Sequence, residues 1–232
     1  MTLGTDLSDF VATTFGTAWT RRNGRLVPET DSLTFKNEAV DIDATVLYAD
    51  LADSTGLVAK YNDWFAADVY KAYLYCASRL IKAAGGTITA YDGDRVMGVF
   101  VGEGKETSAV RAGLKLNWAV NEVIRPEIKR RWADDTYVLK QKVGIDTSSL
   151  MVAKTGVRDA NDLVWVGPAA NNAAKLAARG TNYSTYITER VYDAMDLSAT
   201  VGGTPAENMW TKLGWDRDLN VAVLGSSWQW GP

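Results

Sequence analysis

The run Ala44–Gly56 constrains this chain more than any other. It is a β-branched and apolar stretch that stops at a carboxylate, Asp50, and passes at once into the small polar loop Ala52–Thr55. An apolar run bounded by such a loop reads as a buried strand over 44–50, and Ser54, Thr55 and Gly56 open a helix behind it. A buried strand must be covered, so the rest of the chain has to supply a sheet and the helices that pack on it. With 232 residues, 47% hydrophobic and 23% charged, the chain can do so within one main domain, since single cores grow to ~250 residues before dividing.

The other elements follow from periodicity and punctuation. Leu7, Phe10, Val11, Phe15 and Trp19 predict an amphipathic helix over 5–21, capped by Thr5 or Ser8 and packing on the main domain or on a partner. Residues 22–43 read as a connecting arm, which divides the chain into an N-terminal helix and arm (1–42) and a main domain (43–232). The helix opened at Ser54 is expected to run to about Ala84, where Gly85 and Gly86 end it with left-handed backbone. Thr87–Tyr91 and Arg95–Val101 read as strands joined across Asp92-Gly93, a strong hairpin signal, with Asp94 directly after the turn.

A helix over about 105–132, interrupted by Pro126, comes next. Tyr137–Asp146 and Leu150–Lys154 read as a further hairpin and Leu163–Val166 as a short strand. Pro168–Arg179 is a helix opened by proline and closed by Gly180. Ser184–Thr188, a short helix from Glu189, and strands near Met209–Leu213 and Val221–Leu224 complete the chain. The order βαββαβ, with later additions, predicts an α+β fold, a ferredoxin-like and mostly antiparallel sheet with helices on one face. Trp210, Trp215, Trp228 and Trp230, four of the nine tryptophans, have two readings, capping the sheet or meeting a second copy.

Two absences restrict the chemistry. The chain has no histidine, which excludes serine–histidine and cysteine–histidine catalysis and histidine-ligated metals. Its one cysteine, Cys76, lies among apolar helical neighbours and reads as core, so a cysteine-rich zinc site and an internal disulfide are excluded too. Metal chemistry then has only oxygen ligands, which suit Mg²⁺ or Mn²⁺. The net charge of −3 argues against wrapping nucleic acid, and the run Lys129–Arg131 reads as a solvated helix end. No stretch approaches the ~18 apolar residues of a membrane span and no leader pattern opens the chain, so the expectation is a cytoplasmic protein with neither membrane nor nucleic acid as partner.

Within a βαββ order, a strand ending in Asp50 and a hairpin bearing Asp94 can lie side by side, putting two carboxylates within reach of the same divalent ions. Two such ions, ~3.5–4 Å apart, can activate a hydroxyl and neutralise charge on a transferred phosphoryl group. The loop Ala52, Asp53, Ser54 and Thr55 at a helix N-terminus offers N–H groups and a favourable dipole to phosphates. Singly, either aspartate reads as an ordinary turn residue; their placement together points to phosphoryl chemistry.

Four segments in order, Val46–Thr55, Gly85-Gly86 with Tyr91–Phe100, Val143–Thr147 and Val166–Leu176, resemble the signature segments of class III nucleotidyl cyclases across roughly residues 43–190. The resemblance implies a homodimer with active sites between protomers, converting a nucleoside triphosphate into its 3′,5′-cyclic monophosphate and pyrophosphate with two Mn²⁺ or Mg²⁺ ions. It implies metal-binding roles for Asp50 and Asp94 and for the Leu51 carbonyl, and a ribose- or transition-state-orienting role for Asn171. Lys175 stands where the family usually has a phosphate-contacting arginine, keeping the charge but losing the planar fork. Ser148 replaces a usual glycine, and Lys212 is a candidate for a late phosphate-binding lysine.

At the positions where this family reads purines, the chain has Ala90 and Val164, neither able to read a purine edge. Two readings of the adjacent Tyr91 stay open: turned into the pocket it fills space and offers a hydroxyl to a pyrimidine, while strict alternation makes it an ordinary strand aromatic on the other face. These features are similar to the pyrimidine cyclases of bacterial Pycsar anti-phage systems. That similarity implies cyclic UMP made from UTP as a second messenger read by a separate effector protein. The alternatives are a cytidylate, adenylate or guanylate cyclase on the same fold, or a non-catalytic nucleotide-binding dimerisation module.

Overall fold

The computed structural model describes residues 2–132, 136–180 and 182–231. In chain order the elements are α1 (Leu3–Gly16), β1 (Thr20–Asn23), β2 (Glu38–Ala52), α2 (Ser54–Lys60), α3 (Asp63–Ala83), β3 (Thr87–Asp92), β4 (Arg95–Val101), α4 (Lys105–Ala119) and α5 (Arg125–Arg131). They continue as β5 (Lys140–Val157), β6 (Ala160–Val166), α6 (Pro168–Ala177), β7 (Thr185–Thr188), α7 (Glu189–Ala194), α8 (Leu197–Thr200), β8 (Val201–Gly202), β9 (Glu207–Asn208), β10 (Thr211–Asp216) and β11 (Val221–Ser226).

Among the described residues nine strands form one sheet, in the order β10-β11-β7-β5-β2-β4-β3, with β1 also paired to β2 and β6 to β5. The β1–β2 and β5–β7 pairs are parallel and the others antiparallel. The expected α+β fold is therefore present, with β2 and β5 as its spine: they pair continuously from Ala39↔Ala153 to Ala52↔Lys140.

Strand β2 is apolar on both faces because both are covered. Leu47, Ala49 and Leu51 pack with Phe65, Val69 and Tyr73 of α3 and Val110 and Leu114 of α4. Val40, Ile42, Ala44 and Val46 turn the other way, onto Met97, Val99, Leu150 and Val152 and then Ala169, Ala170 and Ala173 of α6. Helices thus lie on both faces, correcting the one-faced arrangement expected from the element order. The close approach of α6 has a steric condition: a Cβ on Gly144 of β5 would lie 2.1 Å from the Ala173 carbonyl oxygen and 2.5 Å from the Ala177 nitrogen.

Other differences from the expected elements have local causes. The helix expected from 54 to 84 is two helices, because Asn62 caps a new start, its side-chain oxygen accepting from the Phe65 N–H at 3.2 Å. Gly85 ends α3 at φ +86, as expected of a left-handed C-terminus. The expected hairpin over 137–154 is the single strand β5, which runs through Ser148 without a turn because β2 pairs it along its length; the hairpin partner is β6. The helix restarts at Pro126 as expected, with the proline in the first turn of α5, and a π turn at Val120–Ile124 joins α4 to it.

The N-terminal helix ends at Gly16 and is capped by Thr2. Leu7, Phe10, Val11 and Phe15 are exposed on the single chain. Of the tryptophans, Trp210 is buried with its Nε1–H donating to the Ala199 carbonyl at 2.9 Å, whereas Trp215 is exposed.

Gly144→Ala should destabilise the protein by about 1–3 kcal/mol, because the obstruction is helix backbone that cannot swing aside. Gly113→Ala in α4 meets only the movable methyls of Val143 and Thr185 and the Ile145 Cδ1, at 3.2–3.5 Å, and should be near-neutral. Urea denaturation of both variants checks the contrast.

Candidate active site

Asp50 alternates with Ala49 and Leu51, which face α3 and α4, so its side chain shares the α6 face with Val46 and Tyr48. The β3–β4 hairpin pairs Asp50 with Arg95, which places the turn residues Gly93 and Asp94 beside the strand tip. Asp50, Leu51, Ala52, Asp53, Ser54, Thr55 and Asp94 all line one cleft of about 640 Å³. The central expectation about geometry is met: the two carboxylates and the loop do come together.

The electrostatics of this pair are unfavourable as it stands. Burial, then the neighbouring Asp94 charge, pushes the Asp50 carboxyl up to about 6; Arg95 and the Leu51 N–H oppose the shift without cancelling it. Asp94 Oδ2 is buried with no hydrogen-bond partner among the described residues. Arg95 is engaged elsewhere, its Nη2 2.5 Å from Asp92 Oδ2. Asp53, held at φ +62, folds its carboxylate over Gly56, where a Cβ would lie 2.5 Å from Asp53 Oδ1. Among the described residues no three acidic, cysteine or histidine side chains are placed to hold one metal ion together, so a cation here would be met by two carboxylates and backbone. The Asp50 backbone carbonyl accepts from the buried Tyr73 hydroxyl at 3.2 Å, which pins the strand tip to α3.

A residue missed in the sequence completes this cleft. Lys142 of β5 is the cross-strand partner of Asp50. Its ammonium donates to the Tyr183 carbonyl at 2.6 Å and lies 5.7 Å from the Tyr186 ring centroid. Burial, with the nearby Lys140, lowers its affinity for its proton. The signal for Lys142 lay in the register, which cannot be set until β5 is known to be one uninterrupted strand.

Asn171 and Lys175 are not brought to this cleft. Asn171 lies in a groove of about 710 Å³ with Trp165, Arg190 and Asn220, and Lys175 in one of about 490 Å³ with Arg179 and Asp216. Their helix is anchored by the next residue. Asn172 Nδ2 donates to the fully buried Asp146 carboxylate at 2.8 Å, which also accepts from Thr188 Oγ1 at 2.5 Å and Arg190 Nη2 at 2.6 Å. A buried charge satisfied from so many sides fixes the rotation of α6 and directs its exposed face outward.

The base-reading candidates separate. Ala90 pairs with Met97, which pairs with Tyr48, so these three share the Asp50 face. Tyr91 pairs with Val96 on the opposite face, and its hydroxyl lies 2.8 Å from Ser78 Oγ of α3. The local register shift between Ile88 and Ala90 does not turn Tyr91 into the cleft. The aromatic that does stand next to Ala90 is Tyr48, half-buried, a position that alternation back from Asp50 could have revealed. Val164 is exposed on β6, paired with Ala153, and Lys212 is exposed on the edge strand β10; neither lines the carboxylate cleft.

No family model matches the chain. Solved structures share the fold: the adenylyl cyclase CyaB from P. aeruginosa superposes with a TM-score of 0.69 at 21% identity, covering 82% of this chain and 95% of that one. The guanylyl cyclase Cya2 gives 0.68 at 19% identity, covering 83% and 95%. The fold is that of the class III nucleotidyl cyclases. Over its full length the chain is 50% identical to a uridylate cyclase from Xanthomonas perforans (232 residues, 99% of each chain) and 45% identical to one from Burkholderia cepacia (236 residues, 99% of each). The chain belongs to this uridylate cyclase family and is a nucleotidyl cyclase.

The raised Asp50 value gives a stability prediction. A carboxyl whose folded value exceeds its unfolded one favours the protonated state, so ionisation costs stability from about pH 4 upward and the full cost is present above about pH 6. Asp50→Asn should therefore stabilise the metal-free protein at pH 7.5 by on the order of 1 kcal/mol, after allowance for solvent screening, and the gain should vanish near pH 4. Thermal melts in chelator across that range test it.

Proposed function

We propose that the chain converts UTP into 3′,5′-cyclic UMP and pyrophosphate, as a homodimer whose active sites lie between protomers. The observation that carries this reading is the Asp50–Asp94 pair, two ill-compensated carboxylates at one cleft, in a chain of the uridylate cyclase family. The separation of Asn171 and Lys175 from that cleft favours a second copy as their supplier.

Asp50, Asp94 and the Leu51 carbonyl would hold two Mg²⁺ or Mn²⁺ ions; an orphaned buried oxygen and a carboxyl with raised proton affinity suit them. When bound, such ions make the ribose 3′-hydroxyl easier to deprotonate and neutralise charge on the phosphates. The 3′-hydroxyl gives up its proton to water as its oxygen attacks the α-phosphorus, the new P–O bond closes the ring, and the α–β bridging bond breaks with pyrophosphate leaving. Lys142 offers its ammonium to the triphosphate beside Asp50, with the loop Ala52–Thr55 on the other side. Asn171 and Lys175 of the second protomer orient the ribose and steady the negative charge at the transition state.

For the base, we assign the reading role to Tyr48 in place of Tyr91. Ala90 removes a long polar side chain and Tyr48 stands against it on the Asp50 face. Its ring narrows the pocket toward a single six-membered base, and its hydroxyl can donate or accept at the base edge. The relatives' shared name favours uracil over cytosine. In the cell the product would act as a second messenger in anti-phage defence, read by a separate effector; no helix among the described residues is long and apolar enough to cross a membrane.

Incubation with each of the four ribonucleoside triphosphates and Mn²⁺ should yield predominantly cyclic UMP, and Asp94→Ala should reduce that yield by at least about three orders of magnitude. A dominant cyclic AMP, GMP or CMP peak contradicts the base assignment. Triphosphate binding without any cyclic product would favour a non-catalytic module.

A further inference from the structure

We propose that Arg179 is a further triphosphate-binding residue, contacting the β- or γ-phosphate and supplying the guanidinium that Lys175 does not. This rests on reading the carboxylate cleft as a triphosphate site. Arg179 lies just beyond the end of α6, one helical turn after Lys175, with its N–H donating to the Leu176 carbonyl at 3.2 Å. It lines both the cleft of Asp50 and Asp94 and the groove of Lys175, and it is the one residue that the linings of the two share.

Its surroundings orient the guanidinium without using it up. Nη1 lies 2.8 Å from Asp216 Oδ2 as an ion pair, yet the atom makes no aligned hydrogen bond among the described residues. Asp216 is itself steadied through Oδ1, which accepts from the Asp218 and Leu219 N–H groups at 2.9 and 3.0 Å. The guanidinium carbon lies 5.9 Å from the Tyr186 ring centroid, the same ring that Lys142 approaches at 5.7 Å. One aromatic thus gathers two cations at the wall of the cleft, and the Tyr186 hydroxyl is fixed by the Tyr183 N–H at 3.0 Å.

Charge balance in the cleft gives these cations a task. Its lining holds four carboxylates, Asp50, Asp53, Asp92 and Asp94, against Arg95, Lys142 and Arg179, and Arg95 is already committed to Asp92. A polyanionic phosphate chain entering there needs cationic partners beyond the metal ions. A planar five-donor fork meets two phosphate oxygens through parallel N–H bonds in a fixed plane, a geometry that an ammonium such as that of Lys175 does not hold.

The test is calorimetric binding of inorganic pyrophosphate, with Mn²⁺ present, to the full-length protein and to Arg179→Gln and Arg179→Lys, alongside kinetics with UTP. Arg179→Gln should weaken pyrophosphate binding and raise the KM for UTP by about 10- to 100-fold, the usual span for loss of a charged hydrogen-bond partner. Arg179→Lys should recover only part of it, and UMP binding should be unchanged in both. Pyrophosphate binding within twofold of wild type in either variant, no pyrophosphate binding by wild type, or equal losses for UMP and UTP would each overturn the proposal. Arg179→Lys preserves the ion pair with Asp216 and decides the matter if Arg179→Gln does not fold. Because pyrophosphate is common to all four triphosphates, wild type making another cyclic nucleotide would sink the UTP reading and leave this result intact.

Discussion

Two carboxylates held together in a half-buried cleft are the constraint around which this structure is arranged. Asp50 lies two residues before the end of β2, a strand covered on both faces, and the β3–β4 hairpin brings Asp94 beside it, where one Asp94 oxygen has no hydrogen-bond partner among the described residues. Burial and mutual repulsion raise the proton affinity of Asp50, and Arg95, drawn toward Asp92, relieves this only in part. A fold that keeps such a pair carries an electrostatic cost at neutral pH, and such perturbed groups concentrate at functional sites.

The cost is contained by rigid surroundings. Tyr73 pins the strand tip from the α3 side, β5 braces β2 over its full length, and Gly144 lets α6 lie against β5 closely enough for backbone to meet backbone. The buried Asp146 then ties α6 to β7 and α7 through Asn172, Thr188 and Arg190. These contacts present Asn171 and Lys175 on an outward face, away from the carboxylates of their own chain. On the proposed reading, each chain would carry two incomplete halves of one chemical apparatus, and a symmetric pair of chains would complete both. Such a division would make activity depend on assembly, without requiring any rearrangement within a protomer.

Much of this was legible in the sequence because it is written in local signals. The apolar run into Asp50, the Asp92-Gly93 turn that delivers Asp94, and the glycines that end α3 each act within a few residues, and each is found where expected. What escaped depends on pairing between distant segments. Thr147–Ser149 looked like a turn, yet β2 holds it extended; once β5 is a single strand, Lys142 falls opposite Asp50. Tyr91 is adjacent in sequence to the base-reading position, but strand alternation and its contact with Ser78 place it on the α3 face, while Tyr48 occupies the face beside Ala90. The second packing layer formed by α6 was hidden because its Ala-rich face carries little hydrophobic bulk.

The division of the site between two chains is the central claim, and complementation tests it most directly. Asp50→Ala and Asn171→Ala are each expected to be inactive alone, and mixing them under conditions of subunit exchange forms heterodimers with one site whose Asp50 and Asn171 are both intact. The account predicts that the mixture recovers a substantial fraction of wild-type cyclisation, up to about a quarter if chains pair at random, since half of the dimers would carry one working site of two. A mixture as inactive as its two components would contradict the account and place all the reacting groups within a single chain.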